Sequence, residues 1–372
     1  MNPSGLVTSV AVLLAHIWMW RNAGNRALRF AILLPGAAAL AAPWLDAAEI
    51  IHRTPWMPGI VRAALTATGT LWGFTTVATI LLIVLRRELL RRVPGRRQFL
   101  RTASGAAVLV PVAVVGYGAF IVRTQFRVKE VEFPVPNLHP DLAGLRLLQI
   151  SDLHAGEFLG MKDVARVIDM ANELKPSLAL FTGDLITQPG DPLDAVIAQV
   201  ARLRADAGVL ACHGNHEIYA ECEAYATAAA ARQGVTYLRS TARQLRWGAG
   251  TLNVAGVDYQ NIGLRQRYIP RAGNLVLPHA TNLLLSHSPD VFPTAVAKGF
   301  DAMLAGHTHG GQVTVEILQK TLNITRFFTP YVAGLYRLNA RSCYVTNGVG
   351  TIGMPVRFGA PPEVVLLTLR QA

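Results

Sequence analysis

The chain has 372 residues, 51% of them hydrophobic and 16% charged, with a formal net charge of +12. So low a charged fraction excludes an ordinary, highly solvated globule, and the length favours more than one structural unit. Residues 1–127 carry 14 Lys or Arg against three acids while residues 128–372 carry 21 against 20, so the excess flanks apolar stretches and no nucleic-acid partner is expected.

Four apolar stretches precede residue 125. Gly5–Trp20 and Phe30–Leu45 span 16 residues each, Ala63–Leu85 spans 23 and Thr102–Val122 spans 21. A helix needs about 20 apolar residues to cross a hydrocarbon core. Residues 1–125 therefore read as an α-helical transmembrane region of about four helices. The arginine-rich loops Arg21–Arg29 and Arg86–Arg101 belong on the cytoplasmic side. Alternation then puts everything after Val122 outside. The expectation is a multi-pass plasma- or inner-membrane protein with residues 130–372 as an extracytoplasmic catalytic domain. Arg96-Arg97-Gln98-Phe99-Leu100-Arg101 also resembles a twin-arginine export signal, and equally reads as plain stop-side charge.

Beyond Leu145 the pattern changes to short apolar runs ending in Gly, Asp or Asn. Leu145–Ile150, Ser177–Phe181, Gly208–Ala211, Leu252–Val257, Asn282–Ser286 and Asp301–Ala305 read as buried strands. Met161–Leu174, Pro192–Arg204 and Tyr219–Arg232 read as helices. Buried strands separated by helices indicate an α/β layered fold, with the later, closely spaced strands free to pair antiparallel. Cys212, Cys222 and Cys343 are too few for a disulfide scaffold and lack metal-knuckle spacing. A Cys212–Cys222 pair is conceivable, but the odd count favours free core thiols.

The side chains that follow those strands carry the chemistry. Asp152 and His154 follow the first, Asp184 the second, Asn215 and His216 the third, His287 a fourth, and His307 and His309 a fifth. Layered α/β folds collect their sites at strand carboxyl ends. Most motifs alone have a plainer reading (Asp152-Leu153-His154 and Gly183-Asp184 as turns, Asn215 or Glu217 as a helix cap, His287 as a packed core histidine), while Gly306-His307-Thr308-His309 favours a metal site by itself. Together they form a carboxylate, amide and imidazole set without thiolate, which suits Mn²⁺, Fe or Zn²⁺. A carboxylate bridging two such ions suits hydrolysis of a phosphoester, with a non-ligating histidine as proton donor to the leaving oxygen.

The order Asp152-Leu153-His154, Gly183-Asp184, Gly214-Asn215-His216-Glu217, His287, Gly306-His307-Thr308-His309 resembles the calcineurin-like metallophosphoesterases over about residues 130–370. The resemblance implies a four-layer α/β/β/α sandwich and two divalent metal ions, with manganese the first choice. It implies Asp152, His154, Asp184 and His309 around one ion, and Asp184, Asn215, His287 and His307 around the other. His216 becomes the proton donor. Gly310-Gly311-Gln312 and the tail from Gly348 to Glu363 resemble a membrane-linked branch of bacterial phosphodiesterases. That likeness implies a lipid-linked or small phosphodiester or pyrophosphate, UDP-diacylglucosamine-like or phospholipid-like. A nucleotide-lipid made in the cytoplasm conflicts with the outward topology.

Rival readings are an inactive sensor or scaffold and a nuclease. Arg265, Arg267 and Arg271 with Tyr268 can meet an anionic head group or form a solvated loop. Phe327, Phe328, Tyr331, Leu335 and Tyr336 can line an apolar lip or pack in the core. His139, His213 and His279 match no motif and read as structural. Composition is silent on oligomeric state.

Overall fold

The computed structural model describes residues 17, 20, 21, 84, 110–259, 269, 272–317, 320–353 and 355–372. Contacts divide the chain into two compact units, Met1–Ile121 with Gly353–Val356 and Val122–Ile352 with Arg357–Ala372. In the first unit the described helix is α1, Val110–Phe120.

The second unit holds two six-stranded sheets. The first contains β1 (Arg127–Val135), β2 (Arg146–Ile150), β3 (Leu178–Phe181), β4 (Val209–Ala211), β5 (Val235–Tyr237) and β14 (Glu363–Gln371), in the order β1-β14-β2-β3-β4-β5. Strands β2 to β5 run parallel, and β14 lies antiparallel to β2. The second contains β6 (Thr241–Trp247), β7 (Gly250–Val257), β8 (Thr281–Ser286), β9 (Ala302–Ala305), β12 (Gly334–Leu338) and β13 (Arg341–Val345), in the order β12-β13-β9-β8-β7-β6. Its four inner strands are parallel and its two edges antiparallel. A small hairpin pairs β10 (Val315–Ile317) with β11 (Lys320–Leu322).

Strand periodicity sorts the core into layers, because successive side chains leave opposite faces. Leu147, Leu178, Leu180 and Leu210 pack against Leu252, Leu283, Leu285 and Leu304 between the two sheets. On the other face of the first sheet, Leu148, Ile150, Ala179 and Phe181 cover α2 (Met161–Glu173), α3 (Leu193–Val200) and α5 (Glu223–Ala231). The outer face of the second sheet, with Ala255, Leu284 and Met303, packs on α6 (Phe292–Ala297). The result is the α/β fold with two sheets and helices on their outer faces. Buried Gln149 ties the sheets at their carboxyl ends, its Nε2 donating to the Ala305 carbonyl at 3.0 Å and to Thr182 Oγ1 at 3.1 Å.

The expected preceding transmembrane region is corrected. No helix among the described residues is long and apolar enough to cross a membrane. Within Thr102–Val122 the structure describes α1, Val110–Phe120. Apart from residues 17, 20, 21 and 84, the other three stretches lie outside the described residues, as does the Arg96–Arg101 segment. A multi-pass placement thus finds no support in the structure. Cys212, Cys222 and Cys343 are all free thiols, which removes the Cys212–Cys222 pairing.

Candidate metal centre

The parallel strands of both sheets end at the same place, and the residues after them turn inward. Asp152 and His154 follow β2, Asp184 follows β3, Asn215 opens the five-residue helix α4 (Asn215–Tyr219) after β4, His287 follows β8, and His307 and His309 follow β9. Five of these seven adopt a left-handed backbone: Asp152 (φ 54°), His154 (44°), Asp184 (60°), His307 (74°) and His309 (52°). Non-glycine residues rarely do so, and strain of this kind gathers where a side chain must be aimed rather than packed. Two glycines let the turns close. A Cβ on Gly214 would overlap the Asp184 carboxylate, and one on Gly306 would overlap that of Asp152.

The side chains converge into three groups whose ligand atoms lie within 4.8 Å of one another: Asp152, His154 and His309; Asp184, His287 and His307; and His154, Asp184 and His216. His154 Nε2 lies 3.1 Å from His309 Nε2 and 3.4 Å from Asp184 Oδ2. His287 Nε2 lies 3.0 Å from Asp184 Oδ2 and 3.2 Å from His307 Nδ1. His309 Nε2 lies 3.4 Å from Asp152 Oδ1. Asp184 thus belongs to two groups and joins them.

Partners on the far side fix ring orientation. His287 donates from Nδ1 to the Thr182 carbonyl at 2.7 Å, leaving Nε2 to face the cluster. His216 donates from Nδ1 to the Thr187 carbonyl at 2.5 Å and stands edge-on to His154 with ring centroids 4.6 Å apart. Asp152 accepts the His307 backbone N–H at 3.0 Å, and Asp184 accepts that of His216 at 3.0 Å.

Charge follows from burial and neighbours. Burial raises the Asp152 carboxyl. Burial pushes Asp184 the same way, but the imidazoles of His287 and His154 overcome it and hold this carboxyl well below its usual range. His287 shows the complement: burial lowers it, Asp184 and then Asp152 raise it, and it reaches about 10. Burial and the adjoining His287 push His307 down to about 3, and burial with His154 depresses His309. Burial also lowers His216 against the pull of Asp184. A proton on His287 and a divalent cation compete for the same lone pair, so cation binding here releases protons.

The donor set fits a metal pair. Asn215 Oδ1 is buried without a hydrogen-bond partner, a costly state for an amide oxygen that a cation relieves. The paired imidazole nitrogens, 3.1 and 3.2 Å apart, present lone pairs close enough together for one cation to take the place of the shared proton. Asp152, His154, Asp184 and His309 can hold one ion; Asp184, Asn215, His287 and His307 can hold a second.

Sequence reasoning left three contributors aside. Glu217 is more than a cap: its buried carboxylate, raised to about 7 by burial and then by Asp184, accepts the backbone N–H groups of Gly214, Asp184 and Leu185 at 2.8, 3.0 and 2.6 Å. It braces two ligand loops against each other. Tyr259, after β7, puts its ring 5.3 Å from that of His307. Arg357 is fully buried and donates to the carbonyls of Gly350, Asn347 and Ala360, with Nη2 3.4 Å from His309 Nδ1. It sits within the tail from Gly348 to Glu363, but nothing in spacing marks an arginine that binds backbone. His213 is buried against Tyr237 and away from the ligand groups, as expected. Arg265, Arg267, Tyr268 and Arg271 lie outside the described residues.

Comparison with known proteins agrees with the arrangement. Residues 145–311 match the calcineurin-like phosphoesterase family. A metallophosphoesterase of Aquifex aeolicus is 30% identical over 239 residues, covering 61% of this chain and 85% of that one. Phosphodiesterase YaeI of Escherichia coli is 27% identical, covering 74% and 99%. A zebrafish protein named as a transmembrane protein with metallophosphoesterase domain is 28% identical, covering 72% of this chain and 62% of its own length.

Proposed function

The chain belongs to the calcineurin-like phosphoesterase family, and we propose that it is a metal-dependent phosphodiesterase working through a pair of divalent cations, manganese first among them. The supporting observation is the meeting of two carboxylate–imidazole groups at Asp184, with an unpartnered Asn215 oxygen beside them. The sharing of one carboxylate favours a pair of ions over a single one. Every expected ligand position holds a donor side chain, which speaks against an inactive scaffold. A diester is favoured because YaeI, matched over nearly its whole length, is named a phosphodiesterase.

When bound, the ions supply Lewis acidity toward the phosphoryl oxygens and the attacking water. The protein supplies the rest. Asp152 and Asp184 provide the negative charge that holds the cations, and the backbone N–H groups of His307 and His216 hold those carboxylates in place. Thr182 and Glu217 fix the loops behind them. His216, with Nδ1 spent on the Thr187 carbonyl, is left with Nε2 as the proton carrier for the leaving oxygen. Burial depresses its basicity, and an anionic diester docked beside it restores the protonated form that a general acid needs.

The test is hydrolysis of bis(p-nitrophenyl) phosphate by purified protein, before and after exhaustive chelation, with metal analysis. Expected are about two divalent ions per chain, loss of turnover on stripping, and recovery with Mn²⁺. Undiminished turnover by stripped protein would overturn the reading. A fully active enzyme with one ion would overturn the paired-cation part alone.

A further inference from the structure

We infer that the groove leading from His307 and His309 to Phe328 seats a hydrocarbon chain on the substrate, so that the enzyme prefers amphipathic phosphodiesters. The inference rests on the phosphodiesterase reading, because the histidines fix where the reacting phosphate lies.

The cavity measures about 270 Å³ and reaches the metal centre, since His307 and His309 line it together with Phe328, Ile352 and Gly311. Phe327 and Phe328 close the 3₁₀ turn Ile324–Phe327 and stand 87% and 72% exposed. The five residues suggested for an apolar lip therefore divide. Tyr331 and Tyr336 pack against the outer core of the second sheet, Leu335 stands partly exposed on β12, and both phenylalanines face solvent, Phe328 among the cavity's lining residues. The exposed Phe328 ring, lining the cavity with its neighbour Phe327 next in the chain, carries a standing cost in water that an apolar ligand removes.

The polar atoms of the walls explain why a chain suits this groove better than a nucleobase. Gln312 spends its side-chain amide on Ile352, accepting its N–H at 2.9 Å and donating to its carbonyl at 2.7 Å. Thr308 donates to the Val332 carbonyl at 2.5 Å, and Thr329 donates to Asp290 at 2.7 Å. A base is read by donors and acceptors that are free to turn to it, and these are committed to the wall. Asp290 also disfavours a second anionic group there, leaving the phosphate to the cation end. What remains for a ligand, beside the histidines, Asp290 and Thr325, is the carbon surface of Phe328 and Ile352.

The experiment compares p-nitrophenyl phosphodiesters whose second ester group is methyl, butyl, octyl or phenyl, on metal-loaded wild type and a Phe327→Ser/Phe328→Ser double variant. Both positions are exposed, and thermal melting with metal analysis checks that the variant is intact. Wild-type kcat/KM should rise with chain length, by at most about fourfold per buried methylene, chiefly through KM. In the variant the octyl-to-methyl ratio should fall toward one. A flat series in wild type, with the methyl ester turned over, overturns the groove and leaves the phosphodiesterase standing. A phenyl ester preferred over octyl overturns the chain in favour of a ring. If no diester is cleaved, the functional reading falls, and calorimetry with octyl and methyl phosphate decides the groove: equal affinities overturn it.

Discussion

The two sheets deliver unlike chemistry to one centre. Strand exits of the first sheet supply both carboxylates, Asp152 and Asp184, together with Asn215, His154 and His216, while those of the second supply the imidazoles His287, His307 and His309. The negative charge that holds cations therefore comes from one side, locked in left-handed turns and braced by Glu217. The other side adds donors that set coordination and opens onto the groove. The sheets are partners in geometry and unequal in electrostatics.

That inequality predicts its own largest effect. Asp184→Ala removes the carboxylate common to two groups and should strip bound metal to near zero, with turnover falling to background. His307→Ala removes one imidazole from one group and should leave roughly one ion per chain. Metal analysis after gel filtration reads both. If His307→Ala empties the protein as fully as Asp184→Ala, the division of labour between the sheets is wrong.

His216 tests the boundary between holding metal and moving protons, since its imidazole also lies within ligand distance of His154 and Asp184. A general acid contributes about 10²–10⁴-fold, and most where the leaving oxygen is a poor one. His216→Ala should slow an alkyl leaving group within that range, slow p-nitrophenolate release much less, and keep its metal. Equal losses on both substrates with metal missing would make His216 a ligand rather than a proton carrier.

The site was more legible than the frame around it. All six strands read from the sequence are inner strands, buried on both faces, so they appear as continuous apolar runs. The edges escaped notice for physical reasons. β1 reads RVKEVEFPV, with its first four residues exposed and a proline that costs an edge little, and β6 reads TARQLRW, mostly exposed. β5 has only three residues. The expected helix Tyr219–Arg232 is two helices, Asn215–Tyr219 and Glu223–Ala231, because Gly214 and Glu217 start a separate turn that serves the site. The candidate ligands could be read because each follows a strand end and is chemically distinctive. Arg357 and Tyr259 could not: the arginine binds backbone carbonyls within ten residues of itself, which no side-chain motif marks, and the tyrosine meets an imidazole 48 residues away. The membrane region was corrected the other way: run length and hydropathy promised about four spans, and no helix among the described residues is long and apolar enough to cross a membrane.

The smallest predicted effect contrasts two buried histidines from opposite sheets. His287 is raised to about 10: burial acts against it, but it faces Asp184 and Asp152. His213 is driven down to about 3, by burial first and then by Arg239, with only the Glu223 carbonyl opposing. Its Nε2 meets Thr227 Oγ1 at 2.8 Å, and because Thr227 donates its own proton to the Glu223 carbonyl, that nitrogen must be the donor. Nδ1 is buried with no partner, so a second proton would have nowhere to go. The folded state refuses a proton that the unfolded chain accepts near 6.5, so stability is full above that pH and drains away as the pH falls toward 3. One such group contributes a slope of up to about 1.4 kcal/mol per pH unit across that window. His213→Phe keeps a ring against Tyr237 while removing the titration. It should lose some stability at pH 7 with the Thr227 bond, yet show a shallower decline between pH 6.5 and 4.5 than wild type. Urea midpoints taken with chelator present, so that acid release of metal does not contribute, read the slope directly. Parallel declines in the two proteins would mean that His213 accepts its proton inside the fold.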